Sequence, residues 1–194
     1  MPLFTFVRHG ETEWNAAHIR QGWADSPLTA QGELQTRAIE AQLANVHPDI
    51  MFSSDLGRAH HTATIIHDEL FPQTTLLHDW RIRERCFGTL EGKPVVPTQT
   101  DSLFSDDHAT PYGAESVAFM NERLRRFISD CALYEVDHIL VIAHSGILNR
   151  LGYLFIPGFV RKKWSNTETL TLDIQYDDPA LLHKPVTAWR PPVS

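Results

Sequence analysis

Two histidines in this chain stand where imidazole chemistry can be used. Arg8-His9-Gly10 follows the apolar run 3–7, and His144-Ser145-Gly146 follows the apolar run 139–143. An imidazole beside an arginine and ahead of a glycine has an electropositive neighbour and a loop whose backbone N–H groups can approach an oxyanion. Such a histidine can attack phosphorus. Guanidinium groups nearby disfavour imidazolium and leave a neutral ring nitrogen as nucleophile at pH 7, provided the other nitrogen is fixed by a hydrogen bond. Arg58 is an independent sign of anion binding. It falls in the first turn of a predicted helix, where a cation opposes the helix macrodipole at a cost of roughly a few tenths of a kcal/mol or more. A bound phosphate would remove that conflict, since the helix N-terminus and the guanidinium fork both match its oxygens. A salt bridge to Asp55 would remove it equally well.

The elements that must position these groups follow from the hydrophobic pattern. Residues 3–7 read as a buried strand that breaks at the first histidine loop. After Pro27, Thr29 caps a helix predicted through Asn45, with Leu34, Ala38 and Ala41 on one face and Ile39 and Leu43 beside them. Residues 49–53 form a second strand. Asp55 caps the next helix, which carries Ala59, Ala63, Ile66 and Leu70 and is stopped by Pro72; a weak third strand follows at 74–77. Residues 81–113 are irregular, with Gly88, Gly92, Pro94, Pro97, Pro111 and the acidic Asp101, Asp106 and Asp107. A connection of that length is more often functional than accidental, and a lid-like region is expected around 85–113. From Ser116 a long helix presents Val117, Met120, Leu124, Phe127 and Cys131 and leads to 139–143, the most apolar strand of the chain.

A further helix starts near Ile147, residues 169–175 alternate as a strand, and 186–189 read as an edge piece before Pro191 and Pro192. No repeat, low-complexity tract or linker interrupts the pattern, so residues 1–194 are expected to form one domain. Strands alternating with helices argue an α/β fold, a three-layer α/β/α sandwich around a mostly parallel central sheet. In such sheets the binding crevice lies beyond the carboxyl ends of the strands. Both histidine loops then emerge at one edge, although 135 residues separate them in sequence.

Composition narrows the partners. With 42% hydrophobic and 21% charged residues the chain can build a core and is neither disordered nor a small disulfide scaffold. Seventeen Lys and Arg against 24 Asp and Glu give a formal charge of -7, the wrong sign for holding nucleic acid or an anionic membrane. Any anion is therefore bound locally, against the global field. No stretch approaches the roughly 18 apolar residues of a membrane span, and 1–7 is too short for a signal peptide, so a cytoplasmic protein is expected. Cys86 and Cys131 have neither CxxC nor zinc-site spacing and read as free thiols. His60, His61 and His67 lack the HExxH spacing, and no metal site is expected. The GxSxG elbow and the Walker and Rossmann glycine patterns do not occur. Trp14 and Trp23 fit a pocket wall or the core equally well.

Taken in order, these residues resemble the histidine phosphatase superfamily, the phosphoglycerate mutase-like family. Val7-Arg8-His9-Gly10-Glu11-Thr12 with Trp14-Asn15 is similar to its opening signature, continued by Gln21-Gly22-Trp23, Asp25, Leu28-Thr29 and Gly32. Ser53-Ser54-Asp55-Leu56 with Arg58-Ala59 and Thr62-Ala63 resembles the second block, Glu84 with Phe87-Gly88 and Glu91-Gly92 the third, and Ile142-Ala143-His144-Ser145-Gly146 the last. Ser145 stands where members commonly carry Gly, and Ala114 interrupts a common Gly-Glu-Ser pattern. The resemblance implies that His9 is phosphorylated, that Arg8, Arg58 and His144 bind and neutralise the transferring phosphoryl group, and that Glu84 protonates the leaving oxygen. It also implies that Asn15, Gln21, Gly22 and the Ser145 backbone line the phosphate or substrate pocket. Glu84 must then hold a proton for the first step, which partial burial favours, and can activate water in the second.

Three activities fit this set: a phosphomonoester phosphatase acting on a small phosphorylated metabolite, a phosphoglycerate mutase of the same fold, and a noncatalytic phospho-ligand binder. The complete catalytic set argues against the binder. A mutase must retain an intermediate bearing two phosphates and a carboxylate, and so needs cations around the pocket mouth. Between Cys86 and Tyr112 only Lys93 is basic, beside three aspartates. A metal-independent phosphatase without cofactor is the expected function; Arg20 and Arg85 are the cations outside the lid that would favour the mutase. The sequence carries no sign of a protein partner or of an oligomeric state.

Overall fold

The computed structural model describes residues 1–96 and 112–175. Strands β1 (Leu3–Arg8), β2 (Ile50–Ser53), β3 (Thr75–His78), β4 (His138–Ala143) and β5 (Thr169–Asp173) form one sheet in the order β3-β2-β4-β1-β5. The first four run parallel, and β5 pairs antiparallel with β1. The central strands are buried on both faces, which is why 139–143 reads as a continuous apolar run. Their side chains still alternate. Ile139, Val141 and Ala143 pack with Phe4, Phe6 and Phe52 on one side, while Leu140 and Ile142 pack with Val7 and Met51 on the other.

Helices cover both faces, so the expected α/β sandwich is the architecture observed. Helix α5 (Val117–Cys131) and helix α6 (Ser145–Phe155) bury Met120, Leu124, Phe127, Leu148 and Leu151 against the first face. Ser116 caps α5 by accepting from the Phe119 N–H at 3.1 Å. The second face is covered by the helical segment after Thr29 and by α4 (Gly57–Leu70), through Ile39, Leu43, Ala59, Ala63 and Ile66. Helix α1 (Glu13–Ala16) is a single turn closed by a reciprocal Thr12–Asn15 capping box. Both cysteines are buried and free. Among the described residues no helix is long and apolar enough to cross a membrane.

Two expectations are corrected here. The helix predicted from Thr29 to Asn45 is two pieces, α2 (Ala30–Arg37) and α3 (Glu40–Leu43). Its buried face is not Leu34, Ala38 and Ala41, which are exposed, but Gly32, Thr36, Ile39 and Leu43. The reason is close approach of the chain after β1. A Cβ on Gly32 would sit 2.0 Å from the Glu11 carbonyl oxygen, and one on Gly10 would sit 2.7 Å from both Gly32 O and Thr36 Oγ1. Only the smallest residues let α2 lie against the first histidine loop. Asp55 is likewise not the cap of α4, whose N-cap is Leu56; Asp55 instead accepts from Arg83 Nε at 2.6 Å.

The irregular region contains two short 3-10 turns, Trp80–Ile82 and Gly88–Leu90. The rest of the expected lid, including Asp101, Asp106 and Asp107, and the edge piece at 186–189 lie outside the described residues. The corrected face of the split helix can be tested directly. Ile39→Ala should lower unfolding free energy by about 2–5 kcal/mol, and Leu34→Ala, at a site 61% exposed, by no more than about 0.5 kcal/mol, as read from urea titrations.

Candidate active site

The β1–β4 pairing places Arg8 opposite Ala143, and the His9 N–H donates to the Ala143 carbonyl at 3.0 Å. The two histidine loops therefore leave the sheet side by side, with ring centroids 5.2 Å apart and planes at 61°. His9 is 4% exposed and His144 is fully buried. The His9 Nδ1 lies 2.7 Å from the Gly10 carbonyl oxygen, which can only accept, so Nδ1 carries the proton and Nε2 keeps its lone pair. Burial holds both imidazoles well below the ordinary histidine range, and the Arg58 and Arg8 guanidiniums push in the same direction. Neither ring nitrogen of His144 has a hydrogen-bond partner among the described residues.

Arg58 is 1% exposed in the first turn of α4, as its sequence position predicts. Its partner is Asp25, not Asp55. Nη1 donates to Asp25 Oδ1 at 2.7 Å and to the Ala24 carbonyl at 2.9 Å, and Nη2 donates to the Gly22 carbonyl at 2.7 Å. The same Asp25 carboxylate accepts the Arg58 backbone N–H at 3.2 Å, so it also supplies the negative charge that the helix N-terminus favours. Arg58 Nε is left without a partner, as is Nε of Arg8, whose Nη1 donates to the Trp164 carbonyl. Burial depresses the pKa of both arginines, yet guanidinium remains charged at neutral pH.

Glu84 reaches this group from the far side. Its Oε2 accepts the Gly146 N–H at 2.9 Å, and its Oε1 accepts the Arg85 N–H at 2.8 Å. A Cβ on Gly146 would lie 2.1 Å from Glu84 Oε1, so the glycine after His144-Ser145 is what lets the carboxylate approach the start of α6. The Glu84 carbonyl is held in turn by Trp23 Nε1 at 2.8 Å and Arg123 Nη2 at 3.1 Å. Trp23 is thus a strut for the Glu84 loop.

Arg8, His9, Asn15, Gln21, Gly22, Arg58, Glu84 and Ser145 line one cavity of about 180 Å³, together with Ile19, Arg20, Phe87 and Val95. His144 stands behind His9 and is not among the lining residues. The Asn15 carbonyl oxygen faces the Thr12 N–H and Asn166 Nδ2, which leaves its amide NH2 for the cavity. Gln21 uses its side chain internally, donating to Thr12 Oγ1 at 2.8 Å. Gly22 adopts φ +64°, and a Cβ there would meet Glu91 Oε1 at 2.2 Å. Ser145 opens α6, and the first-turn N–H groups of a helix attract an anion.

The family model of the histidine phosphatase superfamily, branch 1, matches residues 4–185. The chain belongs to this family. It is similar to a probable phosphoglycerate mutase GpmB of Serratia proteamaculans, at 33% identity over 168 residues, covering 81% of this chain and 77% of that one. It is equally similar to "Putative phosphoserine phosphatase 2" of Hydrogenobacter thermophilus, 33% identical over 173 residues and covering 85% and 84% of the two chains. A solved mycobacterial glucosyl-3-phosphoglycerate phosphatase has the same fold, with a TM-score of 0.77 at 23% identity over 89% of this chain and 93% of that one. Members of this superfamily therefore carry both mutase and phosphatase names at one level of similarity to this chain.

Several supporting residues escaped the sequence reading. Asn166 donates to the His9 carbonyl at 2.9 Å, and Glu91 accepts the N–H groups of Trp23, Ala24 and Phe87 at 2.8–2.9 Å. The buried Glu115–Arg123 pair, at 2.6 Å, fixes Arg123 against the carbonyls of Arg81, Arg83 and Glu84. Asp25, Glu91 and Glu115 fall inside motif patterns read from the sequence; Asn166 and Arg123 carry no local signal.

The depressed imidazoles have a consequence for stability. Below about pH 6.5 an unfolded chain binds protons on both histidines while the native chain does not, so stability must fall as pH drops. His60 and His138, also lowered by burial, act in the same direction. Between pH 7 and pH 5 the unfolding free energy should decline by up to about 1.4 kcal/mol per pH unit for each of His9 and His144. Urea midpoints that stay constant over this range would contradict neutral, desolvated imidazoles.

Proposed function

We propose that this chain is a phosphomonoester phosphatase acting on a small phosphorylated metabolite through a phosphohistidine on His9. The observation that carries this reading is the free Nε2 of a buried neutral imidazole whose Nδ1 is pinned to the Gly10 carbonyl, beside the unpartnered Nε donors of Arg8 and Arg58. His9 Nε2 attacks phosphorus, the ester P–O bond breaks, and Glu84 gives its proton to the leaving oxygen. Water then attacks phosphorus as the P–Nε2 bond to His9 breaks, the Glu84 carboxylate takes a proton from that water, and inorganic phosphate departs. Arg8 and Arg58 face the charge spread over the equatorial oxygens, with His144 5.2 Å from the His9 ring as the further group assigned to the phosphoryl site, and the transition state asks chiefly for such fixed donors. These donors belong to the chain itself, so we assign the reaction neither metal nor cofactor. Asn15, Gln21, Gly22 and the Ser145 backbone shape the pocket, and residues 1–194 act as one catalytic domain.

The relatives' names admit a phosphoglycerate mutase as the second reading. An intermediate with two phosphates and a carboxylate needs several cations beyond those on the reacting phosphoryl group. Among the described lining residues, Arg20 is the one cation left after Arg8 and Arg58. That supports hydrolysis over retention of a polyanion. Incubation with 3-phosphoglycerate, with and without a bisphosphate primer, should release phosphate faster than it forms 2-phosphoglycerate. Rapid quench should trap acid-labile phosphate on the wild type and none on His9→Ala, which should not turn over. Primer-dependent isomerisation well ahead of phosphate release, or label on another residue, would overturn the proposal.

The role given to Glu84 has its own signature. Glu84→Gln should slow alkyl phosphates by about 10²–10⁴-fold, the usual range for a general acid, and an activated aryl phosphate far less, because that leaving oxygen hardly needs a proton. Equal loss on both substrates would mark Glu84 as structural only.

A further inference from the structure

We propose that Arg20 forms a second anion subsite that takes a carboxylate carried on the same small molecule as the phosphate ester. The substrate is then a phosphorylated carboxylic acid, not a phosphorylated sugar or nucleoside. This rests on the reading of Arg8, His9 and Arg58 as the phosphoryl site. The argument starts from an imbalance. Arg20 is 7% exposed and lines the cavity, yet its side chain makes no hydrogen bond or ion pair with any described residue, and its Nη2 is buried without a partner. Neighbouring buried arginines are all engaged: Arg58 by Asp25, Arg123 by Glu115, and Arg85 by the Glu115 carbonyl at 2.7 Å. A guanidinium removed from water without a carboxylate is unfavourable for folding, and such a group points to a ligand.

The group is also held in place. The Arg20 N–H donates to the Lys93 carbonyl and its own carbonyl accepts from Gly92, both at 2.9 Å. Its Cζ lies 5.4 Å from the centroid of the Phe87 ring. A cation over an aromatic face is attracted by the ring without using its N–H donors, which stay available to a ligand. A single planar fork matches a planar carboxylate, whereas the phosphoryl end of the cavity gathers two arginines and His9. Ile19 and Val95 are the other new wall residues, so among the described residues this end offers no further positive charge to hold a dianion. At about 180 Å³ the cavity is smaller than the roughly 300–1,000 Å³ of sites for drug-sized ligands, which favours an acid of a few carbons over a nucleoside.

Binding separates this subsite from the reaction. In the His9→Ala background, calorimetry with 3-phosphoglycerate and with glycerol 3-phosphate compares a carboxylate with a hydroxymethyl group on otherwise matched monoesters. The carboxylate ligand should bind at least tenfold more tightly, and Arg20→Gln should bring the ratio within threefold. Arg20→Lys, which keeps the charge but not the fork, should give an intermediate ratio and serves if the glutamine variant does not fold. A ratio that starts near one, or that survives both substitutions, overturns the subsite. Competition by inorganic phosphate reads the phosphoryl site separately. Its failure for both ligands sinks the reading of that site, while intact competition with an unchanged ratio sinks only the role of Arg20.

Discussion

Parallel pairing of β1 with β4 is the constraint on which the site depends. Side chains alternate across a strand, so a slip of one residue would send His9 to the opposite face of the sheet from His144. The register that puts Arg8 opposite Ala143 is fixed by burial on both faces, since Val7 and Ile142 belong to one core and Phe6 and Val141 are completely buried as well. Hydrophobic packing thus sets a distance between two imidazoles that no local sequence could set. The small residues around the first loop follow from the same requirement, because Gly10 and Gly32 must let α2 close over it.

Once the imidazoles are fixed, the problem becomes one of buried charge. Guanidiniums taken out of water are costly without partners, and for three of them the fold supplies a carboxylate or a carbonyl. Asp25 holds Arg58, the Trp164 carbonyl holds Arg8, and Glu115 holds Arg123 behind the Glu84 loop. Each partner binds one edge of its cation and leaves another edge turned elsewhere. Carboxylates of an acidic chain are thereby used as supports, which is how a protein of net charge -7 keeps arginine N–H groups unpaired around one cavity.

The alternation of strands and helices, the two histidine loops and Arg58 were legible because each depends on short-range pattern. An apolar run that ends in a polar loop, or a cation in a first helical turn, is visible in a few consecutive residues. The split after α2 and its true buried face were not legible. Periodicity alone ranked Leu34 as core, whereas the packing partner of that helix is a backbone loop that accepts only glycine and threonine there. Asp25 was hidden as the partner of Arg58 for a related reason. A salt bridge was sought three residues away at Asp55, but the carboxylate arrives from 33 residues upstream. Long-range partners such as Asn166 and Arg123 leave no local trace at all.

The division of labour among the arginines also bears on how one fold serves several substrates. Arg8 and Arg58 are tied to main-chain carbonyls and to Asp25, so their positions are set by the same loops that define the sheet edge. Changing either would disturb the frame along with the chemistry. Arg20 differs. Its backbone is bound to Lys93 and Gly92 at the entrance to the irregular region, while its side chain lies over Phe87 and makes no hydrogen bond or ion pair with the described residues. A residue tied to the frame through its backbone alone can be exchanged without moving His9 or Glu84. On the proposed reading, substrate preference is free to vary at that wall while phosphoryl chemistry stays fixed at the strand ends, as expected when function resides in a site carried by a widely shared fold.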